Sequence, residues 1–152
     1  VAVALTDEAV KDAGYGSLDD AREDGAAFVF LGHGTYHTAK VTYSQMQSQA
    51  EKLGYDNVFI GTVEGDPEET ACESVMDAVL QAGFKKVILR PLMVVAGDHA
   101  NNDMAGEDED SWMSVFKASG KFDSVEAQIT GLGSIEEIQK IYVEHVEDVM
   151  TQ

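Results

Sequence analysis

Basic side chains are scarce in this chain of 152 residues. Ten lysine and arginine residues stand against 28 aspartate and glutamate residues, which gives a formal net charge of −18. Nonspecific binding to nucleic acid requires basic side chains that neutralise phosphates, and attraction to an anionic membrane surface requires them as well. The charge balance therefore argues against both a nucleic acid and a membrane as a partner.

Long apolar runs, cysteines and nucleotide-binding motifs are also few or absent. No apolar run approaches the roughly 20 residues that span a bilayer. Cys72 is the only cysteine, which excludes an internal disulfide, and its place in an apolar helical stripe predicts a small buried side chain. Neither a P-loop nor a dinucleotide-binding motif is present, which disfavours nucleotide chemistry. We expect a cytoplasmic location, or a periplasmic one if an upstream export signal has been removed.

The residues that are present predict one α/β lobe. Hydrophobic residues make up 44% of the chain, which is enough for one folded core. Apolar runs alternate with helical patterns, and this alternation favours an open parallel sheet of about four strands with helices on both faces. The strands are predicted at residues 27–31, 57–63, within 86–95, and at 125–129. Residues 1–25 are predicted to form a connector or partial helix, and residues 26–152 the lobe itself.

The predicted helices follow from apolar spacing and end signals. They lie at residues 42–53, from Pro67 to Gly83, at 98–104, at 110–118, and from residue 134 onwards. Ser134 is predicted to cap the last helix, with Glu137 at the capping-box position. The apolar side of that helix is predicted to comprise Ile138, Ile141, Tyr142, His145 and Val149, with His145 in a packing role.

Three residues just past the first three strands are the strongest candidates for chemistry. His33 follows the first strand, Glu64 the second and His99 the third. Ligands bind at the carboxyl ends of the strands in an open parallel sheet. Two imidazoles and one carboxylate at that edge would form a metal site with open positions.

Each of these residues also has a structural alternative, which the sequence leaves open. His33, between two glycines, would hydrogen-bond its own loop, and Glu64 would complement the helix that starts near Pro67. His99 would be a hydrogen-bonded histidine of the core. His37 is either a support for a neighbouring ligand or a loop residue that faces solvent.

Polar residues around His99 are candidates for its support. Asp98 is placed to cap the short helix predicted at residues 98–104. Asn102 or Asp103 is placed to orient an imidazole or a ligand by hydrogen bonding.

Three motifs resemble the anaerobic cobaltochelatase family of the CbiK type. They are Gly-His-Gly-Thr at residues 32–35, Val-Glu at 63–64, and the run Pro-Leu-Met-Val-Val-Ala-Gly-Asp-His-Ala-Asn-Asn-Asp-Met-Ala at 91–105; Asp-Ser-Trp at 110–112 extends the likeness. The resemblance covers roughly residues 28–142, and the run at 91–105 is its most specific part. It implies insertion of cobalt(II) into sirohydrochlorin during anaerobic cobalamin synthesis. It also implies a fold similar to the class II chelatases, protoporphyrin ferrochelatase among them, in which two similar α/β lobes enclose a tetrapyrrole cleft.

The resemblance also implies roles for individual residues. The family's metal ligands, two histidines and a glutamate, fall on His33, Glu64 and His99. One histidine, for which His33 is the candidate, would accept protons from the pyrrole nitrogens. Co²⁺ is then the substrate metal, and Ni²⁺, Fe²⁺ or Zn²⁺ would also suit these ligands in vitro. A metal or tetrapyrrole carrier without insertion activity is the alternative function, and a flavodoxin-like regulatory domain is a third.

The chain departs from the family pattern at its amino-terminal side. It contains no segment like the family's amino-terminal lobe, which opens with a strand and a Ser-Phe-Gly-Thr-type loop. We therefore expect a partner, either that lobe or a second copy of the chain. The tetrapyrrole carries many carboxylates, so local cations such as Lys40 and Arg90 are expected to offset the net charge of the chain.

Overall fold

The computed structural model describes residues 1–34 and 38–151, and within them four parallel strands form a central sheet. The strands are β1 (Ala26–Gly32), β2 (Val58–Thr62), β3 (Lys86–Pro91) and β4 (Ser124–Ala127). The α-helices are α1 (Ala2–Asp12), α2 (Leu18–Glu23), α3 (Val41–Lys52), α4 (Cys72–Gln81), α5 (Trp112–Ala118) and α6 (Glu136–Met150). A π-helical turn (His99–Met104) follows β3, and short 3₁₀ turns lie at Thr38–Lys40, Glu68–Thr70 and Leu132–Ser134. None of the helices described has the length and apolar character needed to cross a membrane.

The spatial order of the strands is β2-β1-β3-β4, and every pair is parallel. The second strand, β2, lies on one side of β1, and the third strand, β3, lies on the other side. The connections after β1 and β3 therefore lead away from each other, which opens a crevice between the carboxyl ends of these two strands. The predicted open parallel α/β sheet is confirmed.

The central strand β1 is buried along its whole length because helices cover both faces of the sheet. Phe28 and Phe30 face one cluster, to which α1, α2, α3 and the start of α6 contribute. Val29 and Leu31 face a second cluster, to which α4 and α5 contribute. The core thus fixes the strand that carries His33 more firmly than any other.

The third strand ends at Pro91, although the apolar run in the sequence continues to Val95. Proline has no N–H to offer a neighbouring strand, so it rarely continues a central strand. Residues 92–97 instead form an irregular loop, whose first residue still donates a hydrogen bond from Leu92 N to Leu31 O at 2.7 Å.

Residues 1–25, which were predicted as a connector or partial helix, contain the two helices α1 and α2. Leu5, Ala9 and Ala21 are fully buried against the sheet. Ser17 caps α2 by accepting a hydrogen bond from Asp20 N at 3.1 Å. This segment is therefore part of the packed core, and the domain boundary at residue 26 stays a prediction.

The last helix begins later than predicted and packs less. Ser134 lies in a 3₁₀ turn, where its N–H binds Gly131 O, and Ile135 precedes α6 without a side-chain cap. The predicted capping box is therefore wrong. Ile138 is buried, but His145 is exposed, so its predicted packing role is wrong as well.

The edge strand β2 is partly closed by a side chain of α3. The Gln47 amide accepts a hydrogen bond from Ile60 N at 3.0 Å and donates one to Val58 O at 3.4 Å. It occupies the backbone positions that an added strand would use.

Arg90 in β3 is completely buried and cannot act as a surface cation, which corrects the expectation from sequence. Its Nη1 donates to Asp12 Oδ2 at 2.6 Å and to Gln128 Oε1 at 2.7 Å. Its Nε and Nη2 are buried without a hydrogen-bond partner among the described residues. Asp12 therefore supplies the compensating charge and ties α1 to the sheet.

Removal of that compensating charge should destabilise the lobe. We expect Asp12→Ala to lower the free energy of unfolding by about 2–4 kcal/mol in urea, because it leaves the buried guanidinium unpaired. The double variant Asp12→Ala/Arg90→Met should recover most of this loss. Glu8→Ala on the same helix, which breaks only an exposed contact with Lys11, should change stability by less than about 0.5 kcal/mol. Equal effects of the two alanine variants would contradict this account.

Cys72 is half-buried at the start of α4 rather than fully buried, and burial raises the pKa of its thiol to about 12. Because only the thiolate reacts readily, we expect slow labelling by a thiol-specific disulfide reagent at pH 8. Labelling in urea should be fast, since the pKa returns to its ordinary value. Equal rates in both conditions would show that the thiol is exposed in the folded lobe.

Candidate functional site

His33 lies at the carboxyl end of β1, between two glycines that the local packing requires. A Cβ at Gly32 would lie 2.2 Å from the Tyr43 ring. Gly34 has φ +94°, and a Cβ there would lie 2.8 Å from the Cβ of Glu64. The Gly34 N–H donates to the Tyr43 hydroxyl at 3.0 Å, which fixes the turn.

The His33 ring is oriented by a backbone carbonyl. Its Nδ1 lies 3.0 Å from Gly34 O. A carbonyl only accepts hydrogen bonds, so Nδ1 carries the proton and Nε2 of the neutral ring keeps a lone pair. His33 therefore does hydrogen-bond its own loop, which the sequence offered as the alternative to metal binding. That hydrogen bond leaves Nε2 available to a metal or a proton.

Glu64 is brought beside His33 because the pairing of β1 with β2 continues past the strand ends. Val63 N donates to Gly32 O at 2.9 Å, and Glu64 N donates to His33 O at 3.0 Å. The Glu64 Oε1 atom then lies 3.7 Å from His33 Nε2.

His99 opens the π-helical turn and reaches the same place from β3. Its ring centroid is 4.2 Å from that of His33, with the rings at 78°. Its side chain is 46% exposed, so the alternative of a core histidine is wrong. Its Nδ1 lies 2.6 Å from Asp103 Oδ2. The carboxylate accepts from Nδ1, so in the neutral ring Nε2 keeps its lone pair, as in His33.

The loop between β3 and His99 is held by the turn before α6. Leu132 N donates to Met93 O at 2.6 Å, and Gly133 N donates to Val94 O at 2.9 Å. The side chains of Val94 and Val95 are consequently turned outward, 52% and 73% exposed. Sequence analysis missed this apolar surface, although Pro91 was a signal that the strand had ended.

Asp98 does not cap the turn as predicted, because its side chain makes no capping hydrogen bond. Asn101 closes the turn instead, with Nδ2 donating to Gly97 O at 3.0 Å. Further on, Ser111 accepts from Ser114 N and so caps α5, while Trp112 is buried against Gly61. The Asp-Ser-Trp motif is therefore placed to support the fold.

The three predicted residues thus lie together at the carboxyl ends of β1, β2 and β3. Their side chains are 45% (His33), 32% (Glu64) and 46% (His99) exposed. As they stand, the described residues include no group of three or more His, Cys, Asp and Glu side chains with the geometry of a metal site. The contacts are pairwise, His33 with Glu64 and His33 with His99. His37 lies outside the described residues.

Lys40 is the cation nearest in sequence to the His33 loop. Its side chain is 42% exposed and its Nζ lies 3.3 Å from Asp66 Oδ1. Lys40 therefore remains accessible, unlike Arg90, although a carboxylate already shares its charge.

Comparison with known proteins gives a family match and two similar enzymes. The family model described as cobalt chelatase (CbiK) matches residues 12–151. The sirohydrochlorin cobaltochelatase of Salmonella typhimurium is 35% identical over 122 residues, which cover 80% of this chain and 44% of that protein. The sirohydrochlorin cobaltochelatase CbiKC of Nitratidesulfovibrio vulgaris is 38% identical over 103 residues, 68% of this chain and 35% of that protein. The chain spans less than half the length of both relatives.

The glycine after His33 offers a test of the site's construction. We expect Gly34→Ala to cost about 2–3 kcal/mol in urea unfolding, because it combines left-handed backbone strain with a clash against Glu64. Gly83→Ala is the matched control: its φ is +89°, but a Cβ there meets nothing within 4 Å. That variant should cost only about 1 kcal/mol. Equal costs would mean that the Glu64 contact does not constrain the loop.

Proposed function

Because the chain belongs to the cobalt chelatase (CbiK) family, we propose that it inserts cobalt(II) into a tetrapyrrole of the sirohydrochlorin class. Membership rests on the family match over residues 12–151. The names of the two relatives support the choice of metal and macrocycle. The metal is a substrate of this reaction, so the site must hold the ion and then release it.

One observation carries the residue assignment. His33 and His99 lie in contact, and each ring donates from Nδ1, so both Nε2 atoms keep lone pairs at the same edge of the sheet. Glu64 adds a carboxylate 3.7 Å from His33 Nε2. We propose that these three residues bind the incoming Co²⁺ after small side-chain rotations. Two imidazoles and one carboxylate suit late divalent metals and leave coordination positions for the macrocycle.

Insertion releases two protons from the pyrrole nitrogens. His33 is the proposed acceptor of one proton after the other, at Nε2, once Co²⁺ has left that atom for the macrocycle. Its Nε2 has a lone pair and faces Glu64, whose carboxylate stabilises the imidazolium that forms. Its side chain is nearly half exposed, so the proton can pass on to water. A neutral base at this position takes up the released protons and so lowers the barrier to metallation.

The loop after β3 provides a surface for the flat macrocycle. Val94 and Val95 project from a loop whose backbone is fixed by the turn at residues 131–133. Exposed apolar side chains on the same edge as polar, metal-binding side chains are typical of a binding surface. Lys40 is the proposed local partner of one substrate carboxylate.

A second lobe is proposed to complete the cleft. The chain spans less than half of each relative, and α6 carries an apolar stripe that the described residues do not cover. Tyr142, Val146 and Val149 in that stripe are spaced for one helix face, and all are more than half exposed. The second lobe would be a further segment of the same protein or a second copy of this chain. It would also supply cations for the substrate carboxylates.

An anaerobic spectrophotometric assay with sirohydrochlorin and Co²⁺ tests the proposal. We expect insertion above the uncatalysed rate, with a rate per chain that rises with protein concentration if two copies form the cleft. His33→Ala and His99→Ala should each reduce the rate about 100-fold or more, since each removes a ligand or the base. Glu8→Ala, which alters only a contact with the exposed Lys11 on α1, should leave the rate within about twofold.

Other results of the same assay would overturn the proposal. Unchanged insertion in both site variants would refute the residue assignment. Stoichiometric binding of the macrocycle with no metallated product, in a protein that also contains the second lobe, would support the carrier function instead. A thermal midpoint unaffected by Co²⁺ would support a regulatory domain with structural histidines, because a ligand of the native state must raise that midpoint.

A further inference from the structure

The π-helical turn after β3 holds a carboxylate against His99, and we propose that Asp103 is the residue that positions this imidazole for metal binding. This inference rests on the proposed function, in which His99 is a metal ligand. Asp103 itself would not touch the metal or the macrocycle. It would act through His99, by keeping the proton on Nδ1 and the lone pair on Nε2.

The contact is short and well defined. Asp103 Oδ2 lies 2.6 Å from His99 Nδ1, a short hydrogen bond of the kind that a charged acceptor favours. Both side chains are nearly half exposed, at 46% and 47%, so the pair is not held by burial. Histidine ligands commonly donate their second nitrogen to a carboxylate, which fixes the tautomer and the ring orientation.

The backbone of the turn sets this pair apart from a chance surface contact. Ala100 and Met104 are fully buried, so the turn is anchored on one side while His99 and Asp103 project from the other. Gly106 closes the turn so tightly that a Cβ there would lie 2.3 Å from Asn102 O. Short π-helical segments within helices are frequent at functional sites. The turn therefore fixes the Cα positions of donor and acceptor before any ligand arrives.

The two histidines of the site differ in what orients them. The partner of His33 Nδ1 is the Gly34 carbonyl, which no substitution removes. The partner of His99 Nδ1 is the side chain of Asp103, so a substitution at residue 103 removes it. A change at Asp103 should consequently affect His99 and leave His33 as it is.

Asp98 provides a matched control. It is an exposed carboxylate next to His99 in sequence, and its side chain makes no capping hydrogen bond to the turn. Asp98→Asn removes the same charge from the same turn but leaves the His99 hydrogen bond intact. A difference between the two variants therefore reports the hydrogen bond rather than the charge.

The first measurement is made on the metal-free chain and requires no activity. Nitrogen-15 NMR of the imidazoles, at a pH where the rings are neutral, should show His99 protonated at Nδ1 in the wild type. Asp103→Ala should shift His99 toward the Nε2-protonated form, while His33 and the Asp98→Asn variant keep the wild-type pattern. An unchanged His99 tautomer in Asp103→Ala would overturn the proposal, and near-UV circular dichroism confirms that each variant is folded.

The second measurement is Co²⁺ affinity by titration calorimetry on the same chains. Asp103→Ala should weaken binding about 10–100-fold, Asp103→Glu should recover part of the loss, and Asp98→Asn should stay within about threefold. Normal Co²⁺ affinity in Asp103→Ala, together with lost binding in His99→Ala, would overturn the positioning role and leave the proposed function standing. Normal affinity in His99→Ala would refute the ligand assignment and, with it, the role of Asp103 in metal binding.

Discussion

The candidate site depends on backbone hydrogen bonds that β1 makes with both of its neighbours. The carbonyl groups of residues 31–33 accept hydrogen bonds from the N–H groups of Leu92, Val63 and Glu64. These three bonds fix the points at which the chain leaves the sheet after β2 and β3, relative to the end of β1. As a result, the side chains that follow the strand ends meet, although they are far apart in sequence. His33 and Glu64 are 31 residues apart and still lie 3.7 Å from each other.

The sequence predicted the strands and the placement of His33, Glu64 and His99 at one edge of the sheet, because both follow from simple periodic signals. Buried parallel strands appear as short apolar runs, and a polar residue at the end of such a run falls at the ligand edge. Long-range packing was less accessible. Neither the burial of Arg90 nor its pairing with Asp12 is visible in a chain where 78 residues separate the two. The late start of α6 depends on a turn that holds the loop after β3, so no local capping signal could reveal it.

Charge is distributed unevenly over the sheet. Lys86 begins β3 and Lys121 precedes β4, so both lie at the amino ends of strands, opposite the candidate site. Near the site, Lys40 shares its charge with Asp66, and Arg90 is enclosed in the core. With its nearby cations paired or buried, this edge of the sheet attracts a metal cation more than a macrocycle that carries many carboxylates. In the proposed reaction, the lobe described here would therefore contribute mainly to metal capture, and the second lobe to recognition of the macrocycle.

The Gln47 amide on the edge strand β2 has a consequence for assembly. A bare strand edge can add further strands without limit, which leads to fibres and precipitates. Here the amide occupies the edge positions of Val58 and Ile60, and the strand at the opposite edge, β4, has only four residues. Growth by strand addition is thereby disfavoured at both ends of the sheet. Association through α6 would then produce a closed complex of fixed size, which is the form that a two-lobed cleft requires.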